Sequence, residues 1–204
     1  QIVRTTYLSL GSNLGNKFEN LQLALNLIAE KMGVIVKISH IYKTASWGFE
    51  SEEFYNICIQ VSTSLNPENI LIAIQETELS LGRNRTSEKG YQARTIDIDV
   101  LLFDNEIIFS KELIVPHKEM LKRKFVLVPL AEIAPNFIHP IEKQRIQVCL
   151  ENCSDNSPIE QLDLKLKKPI SLSEKYNYIA IEGNIGAGKT TLATKIAEDF
   201  NAKI

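Results

Sequence analysis

The sequence predicts an α+β fold whose elements follow the order β-α-β-β-α-β. Two stretches repeat apolar residues at helical spacing, four read as strands, and turn-forming residues sit at most of the junctions. Residues 5–10 (TTYLSL) alternate polar and apolar and stop at Gly11, the pattern of a first strand. Residues 16–32 repeat Phe18, Leu21, Leu25 and Ile28 and close at Gly33, so a helix follows. Residues 34–42 and 54–65 read as the next two strands, joined by a loop carrying Trp47 and Gly48. Asn66-Pro67 is a helix start, because asparagine caps and proline at the first helical position lacks only an N–H with no partner there. That helix runs to Gly82. Residues 97–103 form the fourth strand, and an Asp104-Asn105 turn leads into 106–109 as the return strand of a hairpin. This is the ferredoxin-like order, in which the helices cover one sheet face and leave the other open for a ligand. The order alone names no function.

Composition sets the outer limits. With 204 residues, 44% hydrophobic and 24% charged, the chain can bury one good core and carry something extra. A net charge of −2 and a pI near 6.0 argue against a non-specific nucleic-acid binder, which is normally basic. No apolar run approaches a membrane span, and the N-terminus lacks the basic-then-apolar pattern of a secretory signal. Cys58, Cys149 and Cys153 are odd in number and have no metal-ligand spacing, so a reducing cytoplasm is the expected location.

The most informative stretch is residues 82–99, GRNRTSEKGYQARTIDID. Side chains alternate along a strand, so Asp97 and Asp99 share one face while Ile96 and Ile98 pack on the other. Two carboxylates roughly 6–7 Å apart repel by about 2–3 kcal/mol at an effective dielectric near 20. A strand tolerates that when the pair stays solvated or when a divalent cation sits between them. Asp-x-Asp by itself is usually a solvated strand face. Arg83, Arg85 and Arg94 change the balance, since the first two lie in a Gly- and Ser-punctuated loop beside a rigid strand. Few hard oxygen ligands with positive side chains nearby suit Mg²⁺ carrying a polyphosphate, and hence a nucleoside triphosphate.

Further motifs carry a resemblance. LGSNLGN, IYKTASWGF, FYN, IQETELSLGRNR, RTIDIDVLLF, VPHKEM and RKFVLVPLAEIAP occur in the order found in the 6-hydroxymethyl-7,8-dihydropterin pyrophosphokinases, and residues 5–150 as a whole resemble that folate-pathway family. The resemblance implies transfer of a diphosphate from ATP to a pterin alcohol, leaving AMP. It implies that Asp97 and Asp99 ligate two Mg²⁺ ions, that Arg83 and Arg94 hold phosphate oxygens, and that Arg85 lies in a mobile catalytic loop. Gln75, Glu78, Ile98, His117 and Arg123 match ATP contacts. Phe54 and Phe125 would stack on the pterin, Asn56 would read its hydrogen-bonding edge, and backbone near Thr44 and Trp47 would complete the pocket. Without the resemblance Phe125 reads as an ordinary core residue, and Gln75 and Glu78 as one solvated helix face. Asn56 in an apolar strand is harder to explain away, since a buried amide needs partners. Glu112 and Ile114 stand where many members of that family have Arg and Thr, and Tyr91 where Trp is frequent.

The C-terminal part differs. Residues 151–175 are polar, contain Pro158 and Pro169, and read as a linker after a first domain of 1–150. Residues 178–182 form a short apolar strand pattern, followed by GNIGAGKTT. Gly183, Gly188, Lys189 and Thr190 satisfy the P-loop spacing, and backbone amides at such a helix start cradle phosphates. YIAIEGNIGAGKTTLA resembles the opening of the deoxynucleoside kinases over about residues 176–204. The expectation is one whole enzyme followed by the start of a second. Two other readings stay open: a module that binds nucleotide or pterin without transfer, and a nucleoside kinase acting through the P-loop. The expected partners are ATP and the pterin, with no nucleic acid and no membrane.

Overall fold

The computed structural model describes residues 2–45, 53–82, 95–170 and 179–200. The chain divides into two compact units, Gln1–Pro169 and Ile170–Ile204. No helix among the described residues is long and apolar enough to cross a membrane.

The first unit is built on the predicted elements. β1 (Arg4–Ser12) leads to α1 (Lys17–Lys31), whose first turn is capped by Asn16 Oδ1 accepting from Glu19 N at 3.1 Å. The helix ends at Gly33, with φ of 143°, where a Cβ would come within 2.2 Å of the Ser62 carbonyl oxygen. The strand expected over 34–42 is two, β2 (Val34–Ile38) and β3 (Ile41–Thr44), both antiparallel to β4 (Phe54–Thr63). The break falls at Ser39-His40, where Ser39 Oγ accepts from Cys58 N. α2 (Pro67–Ser80) starts at Asn66, whose Oδ1 accepts from Asn69 N at 2.8 Å, and β5 (Asp97–Phe103) follows. The sheet order β5-β1-β4, with β2 and β3 beyond β4 and every pairing antiparallel, is that of the ferredoxin-like βαββαβ unit.

α1 and α2 close one sheet face. Leu21, Leu25 and Ile28 of α1, with Ile70 and Ile74 of α2, meet Leu8, Leu10, Ile57, Ile59 and Ile98 in one core. Each such side chain contributes about 1.5–3 kcal/mol on full burial.

The second face is less open than expected. α3 (Lys124–Ile133) and α4 (Ile146–Glu151) cover part of it, and Val126, Leu127, Leu130 and Ile146 form a second core with Tyr7, Cys58, Leu101 and Leu102. A register shift opposite Tyr7 turns Leu101 and Leu102 into this same core, as a β-bulge does.

Three other expectations are corrected. No hairpin joins β5 to the next segment: β6 (Ile108–Phe109) pairs β7 (Ile114–Val115) instead, and Asp104 N donates to Thr5 O. The stretch read as a linker contains β8 (Ile159–Leu162), which pairs β3 and extends the sheet, so the first unit runs to Pro169 rather than residue 150. Its polar composition is that of a half-exposed edge strand. Within the second unit, residues 179–184 are not in a strand and pair with no strand among the described residues, whereas α5 (Lys189–Phe200) is a helix.

Candidate active site

The uncovered part of the second face forms a cleft of about 630 Å³, within the size range of small-molecule sites. Its floor follows from the sheet register. Asp97 of β5 stands opposite Gly11 of β1, Gly11 opposite Asn56 of β4, and Asn56 opposite Tyr42 of β3. One row along, Asp99 stands opposite Ser9, and Ser9 opposite Cys58. Both aspartates, Ser9, Gly11, Asn56, Phe54 and Thr44 line the cleft.

The floor is acidic at one end and amide-bearing at the other, with a gap between. Asp97 and Asp99 are half-buried on the edge strand. Gly11 makes the gap, since a Cβ there would lie 3.3 Å from Asn56 Oδ1 and 3.7 Å from Phe54 Cδ1. Asn56 is only 3% exposed, and its Nδ2 donates to Thr44 Oγ1 at 3.0 Å and Tyr42 O at 3.3 Å. The amide is thereby held in one orientation. Ser12, from the LGSNLGN motif, donates to Thr95 O at 2.6 Å and ties the end of β1 to the chain entering β5.

The opposite wall comes from residues 117–125. His117 N donates to Leu101 O at 2.9 Å, fixing the segment against β5. His117 Nδ1 accepts from Glu119 N at 3.2 Å, and burial, reinforced by Arg123, pushes the imidazole below the usual histidine range. It is therefore neutral at pH 7, with Nε2 as its remaining donor. The Arg123 guanidinium lies 5.8 Å from the centre of the Phe125 ring, and both line the cleft. Lys118, Lys124, Asp155 and Ser157 complete the rim.

Of the residues expected from sequence, Asp97, Asp99, His117, Arg123, Thr44, Phe54, Asn56 and Phe125 are brought to this one cleft. Arg83, Arg85, Arg94 and Trp47 lie outside the described residues. Gln75 and Glu78 do not share an environment: Gln75 is exposed, whereas Glu78 is 2% exposed and its Oε1 accepts from Ile98 N at 3.0 Å. Glu78 thus satisfies a backbone donor of the edge strand, and the Ile98 side chain packs in the core beneath the helices. Sequence reasoning missed Ser9, Gly11, Lys118, Lys124, Asp155 and Ser157. The alternation of β1 carried a signal for Ser9 and Gly11; nothing local carried one for Asp155.

The sequence profile of the 7,8-dihydro-6-hydroxymethylpterin-pyrophosphokinase (HPPK) family matches residues 7–135, well over half of the chain. The chain belongs to the HPPK family. Its chemistry is the family's, ATP-dependent diphosphate transfer to a hydroxymethyl-pterin in folate synthesis. Among curated relatives, the 2-amino-4-hydroxy-6-hydroxymethyldihydropteridine pyrophosphokinase of Aquifex aeolicus is 40% identical over 144 residues, 70% of this chain and 88% of that protein. The protein of the same name from Bacillus subtilis is 44% identical over 129 residues, 62% of this chain and 76% of its own length. A crystal structure of Plasmodium falciparum HPPK-DHPS with pteroate has a TM-score of 0.63 at 17% identity and covers 74% of this chain. At that identity the likeness concerns the fold, and this chain spans 44% of that longer one. The HPPK match ends at residue 135, ahead of β8 and of the P-loop segment.

Proposed function

We propose that this HPPK chain binds the phosphates of ATP at the Asp97–Asp99 end of the cleft and 6-hydroxymethyl-7,8-dihydropterin at the Phe54–Asn56–Phe125 end. The supporting observation is the single row Asp97–Gly11–Asn56 across the sheet, which sets a metal-binding type of group and an oriented amide on either side of an open gap. Phe54 and Phe125 offer faces to a flat ring, and Asn56 with Thr44 reads its edge.

The pterin hydroxymethyl oxygen attacks the β-phosphorus of ATP and loses its proton. The bond from that phosphorus to the oxygen bridging it to the α-phosphate breaks, and AMP leaves with the bridging oxygen. Such a transfer asks the protein mainly for alignment and charge neutralisation. Asp97 and Asp99 fit Mg²⁺, because they offer few hard oxygens beside open space. Among the described residues no group of three or more His, Cys, Asp or Glu gathers as a metal site, so phosphates and water would complete the coordination. Two Mg²⁺ ions held there would neutralise charge developing on the phosphates. His117 would donate from Nε2 to a phosphate oxygen, and Arg123 would supply a fixed positive charge on the same wall. Arg83 and Arg94 would add phosphate contacts, Arg85 would act from its loop, exposed Gln75 would meet the nucleotide from α2, and backbone near Trp47 would complete the pterin pocket. Glu78 and Ile98, engaged with each other, would hold the edge strand rather than touch the nucleotide.

Incubation with ATP, Mg²⁺ and the pterin alcohol decides the reading. AMP and pterin diphosphate are expected; ADP would instead indicate a kinase, and no turnover a binding module. The three free cysteines suit a cytoplasmic enzyme.

For the second unit we propose the start of a deoxynucleoside kinase-like domain, in a longer bifunctional protein. The supporting features are Gly186 and Gly188 at positive φ before the helix that opens with Lys189 and Thr190. Lys189 Nζ donates to Gly183 O and Asn184 O, both at 2.6 Å, so the ammonium is engaged by its own loop.

A further inference from the structure

α3 carries Phe125 and follows directly on Arg123, yet it has no cap of its own: Arg123 occupies the N-cap position and makes no side-chain cap bond. The first backbone N–H groups of a helix are unpaired and lie at the positive end of its dipole. Asp155, thirty-one residues later, fills the role. Its Oδ2 accepts from Lys124 N at 2.9 Å. Its Oδ1 accepts from Ser157 N at 2.9 Å, an Asx turn that aims the chain through Pro158 into β8. The Ser157 side chain foremost, with these two backbone bonds, holds the Asp155 carboxyl below its ordinary range. β8 in turn pairs with β3, Ile159 standing opposite Thr44, and Thr44 Oγ1 is the partner of Asn56 Nδ2. One carboxylate thus links the stacking wall, Phe125, to the edge-reading wall, Thr44 and Asn56.

We infer that Asp155 is a positioning residue for the pterin end of the cleft. It sets the separation and angle between the Phe125 ring and the Asn56 amide, and leaves the Asp97–Asp99 end unaffected. The residue lies outside the stretch 7–135 that the HPPK profile matches, so this part of pterin recognition is supplied by a segment of the chain outside that stretch. The inference rests on placing the pterin between Phe54 and Phe125.

The test uses the full 204-residue chain with Asp155→Ala and Asp155→Asn. KM for the pterin, KM for ATP and kcat are measured together, with pterin affinity read independently by fluorescence titration. Asp155→Ala should raise the pterin KM and Kd roughly five- to tenfold, the scale of a lost N-cap, with ATP KM within about twofold of wild type. Asp155→Asn keeps an accepting oxygen and should recover most of that loss. Equal increases in both KM values, or an unchanged pterin Kd, would overturn the inference while leaving the proposed reaction intact. Should Asp155→Ala fail to fold, Asp155→Ser decides, since one hydroxyl cannot accept from both Lys124 N and Ser157 N as the carboxylate does: a pterin KM raised with ATP KM unchanged supports positioning, and unchanged values overturn it. Wild-type chain that yields no AMP overturns both this inference and the reaction on which it rests.

Discussion

At the scale of single residues, the cleft separates catalytic from recognition chemistry. Asp97→Ala or Asp99→Ala removes a hard oxygen from the phosphate end but no core contact. Turnover should fall at least about a thousandfold with little change in thermal midpoint. Near-wild-type activity in either variant would remove the metal-ligand assignment. Gly11→Ala makes the opposite kind of change. Its methyl would sit 3.3 Å from Asn56 Oδ1 and fill the gap between the acid and amide ends. Gly11 has no positive φ, so the backbone accepts alanine and the cost falls on ligand space. Binding of the pterin, measured by calorimetry, should weaken about tenfold or more, since roughly 1.4 kcal/mol of misfit is a factor of ten. Unchanged affinity would place the pterin elsewhere.

At the scale of elements, α3 is held by side chains from other parts of the chain. Asp155 caps its start, Lys37 Nζ donates to Ile133 O near its end at 3.0 Å, and Glu132 accepts from His40 N and from the Tyr42 hydroxyl. A helix with β-branched Val126 and Val128 and with Pro129 inside it needs such support. The segments flanking α3 carry a pH signature. His117 and His139 are both pushed below the ordinary value of 6.5, burial being the first cause for each, and each Nδ1 accepts from backbone N–H groups. Below that ordinary value the unfolded chain binds protons that the folded chain refuses, so stability drops as pH falls. Thermal midpoints should be flat from about pH 8 to 6.5 and decline from there through the lowered folded values. His139→Gln should make that decline shallower; an unchanged slope would exclude His139 as a contributor.

At the scale of the molecule, the two units make opposite predictions about truncation. Removing residues 170–204 leaves the first unit whole, and AMP formation should match that of the full chain; Lys189→Ala should likewise be silent. A several-fold loss in either would show that the second unit acts on the cleft. Ending the chain after residue 150 should do far more damage. It removes β8 from β3, removes Asp155 from α3, and takes away Leu162 and Leu166, which pack against the main core. The exposed β3 would be a new sheet edge prone to association, and size-exclusion chromatography should show aggregation beside the lost activity.

Much of this protein is determined within short stretches of sequence. The caps at Asn16 and Asn66, the stop at Gly33, and the alternation that sets Asp97 and Asp99 on one face depend on neighbours a few residues away, and the chain displays them directly. Other features were decided only by contacts between distant segments. Glu78 reads as half of a solvated pair until the edge amide of Ile98, twenty residues on, claims it. The 159–162 stretch reads as polar linker until β3 offers it a partner. Asp155 has no local signal at all, because the helix it caps begins thirty-one residues earlier. Local hydrogen bonds and periodicity are written along the chain, whereas the pairing of an edge strand or a borrowed cap exists only once the sheet has brought its partner within 3 Å.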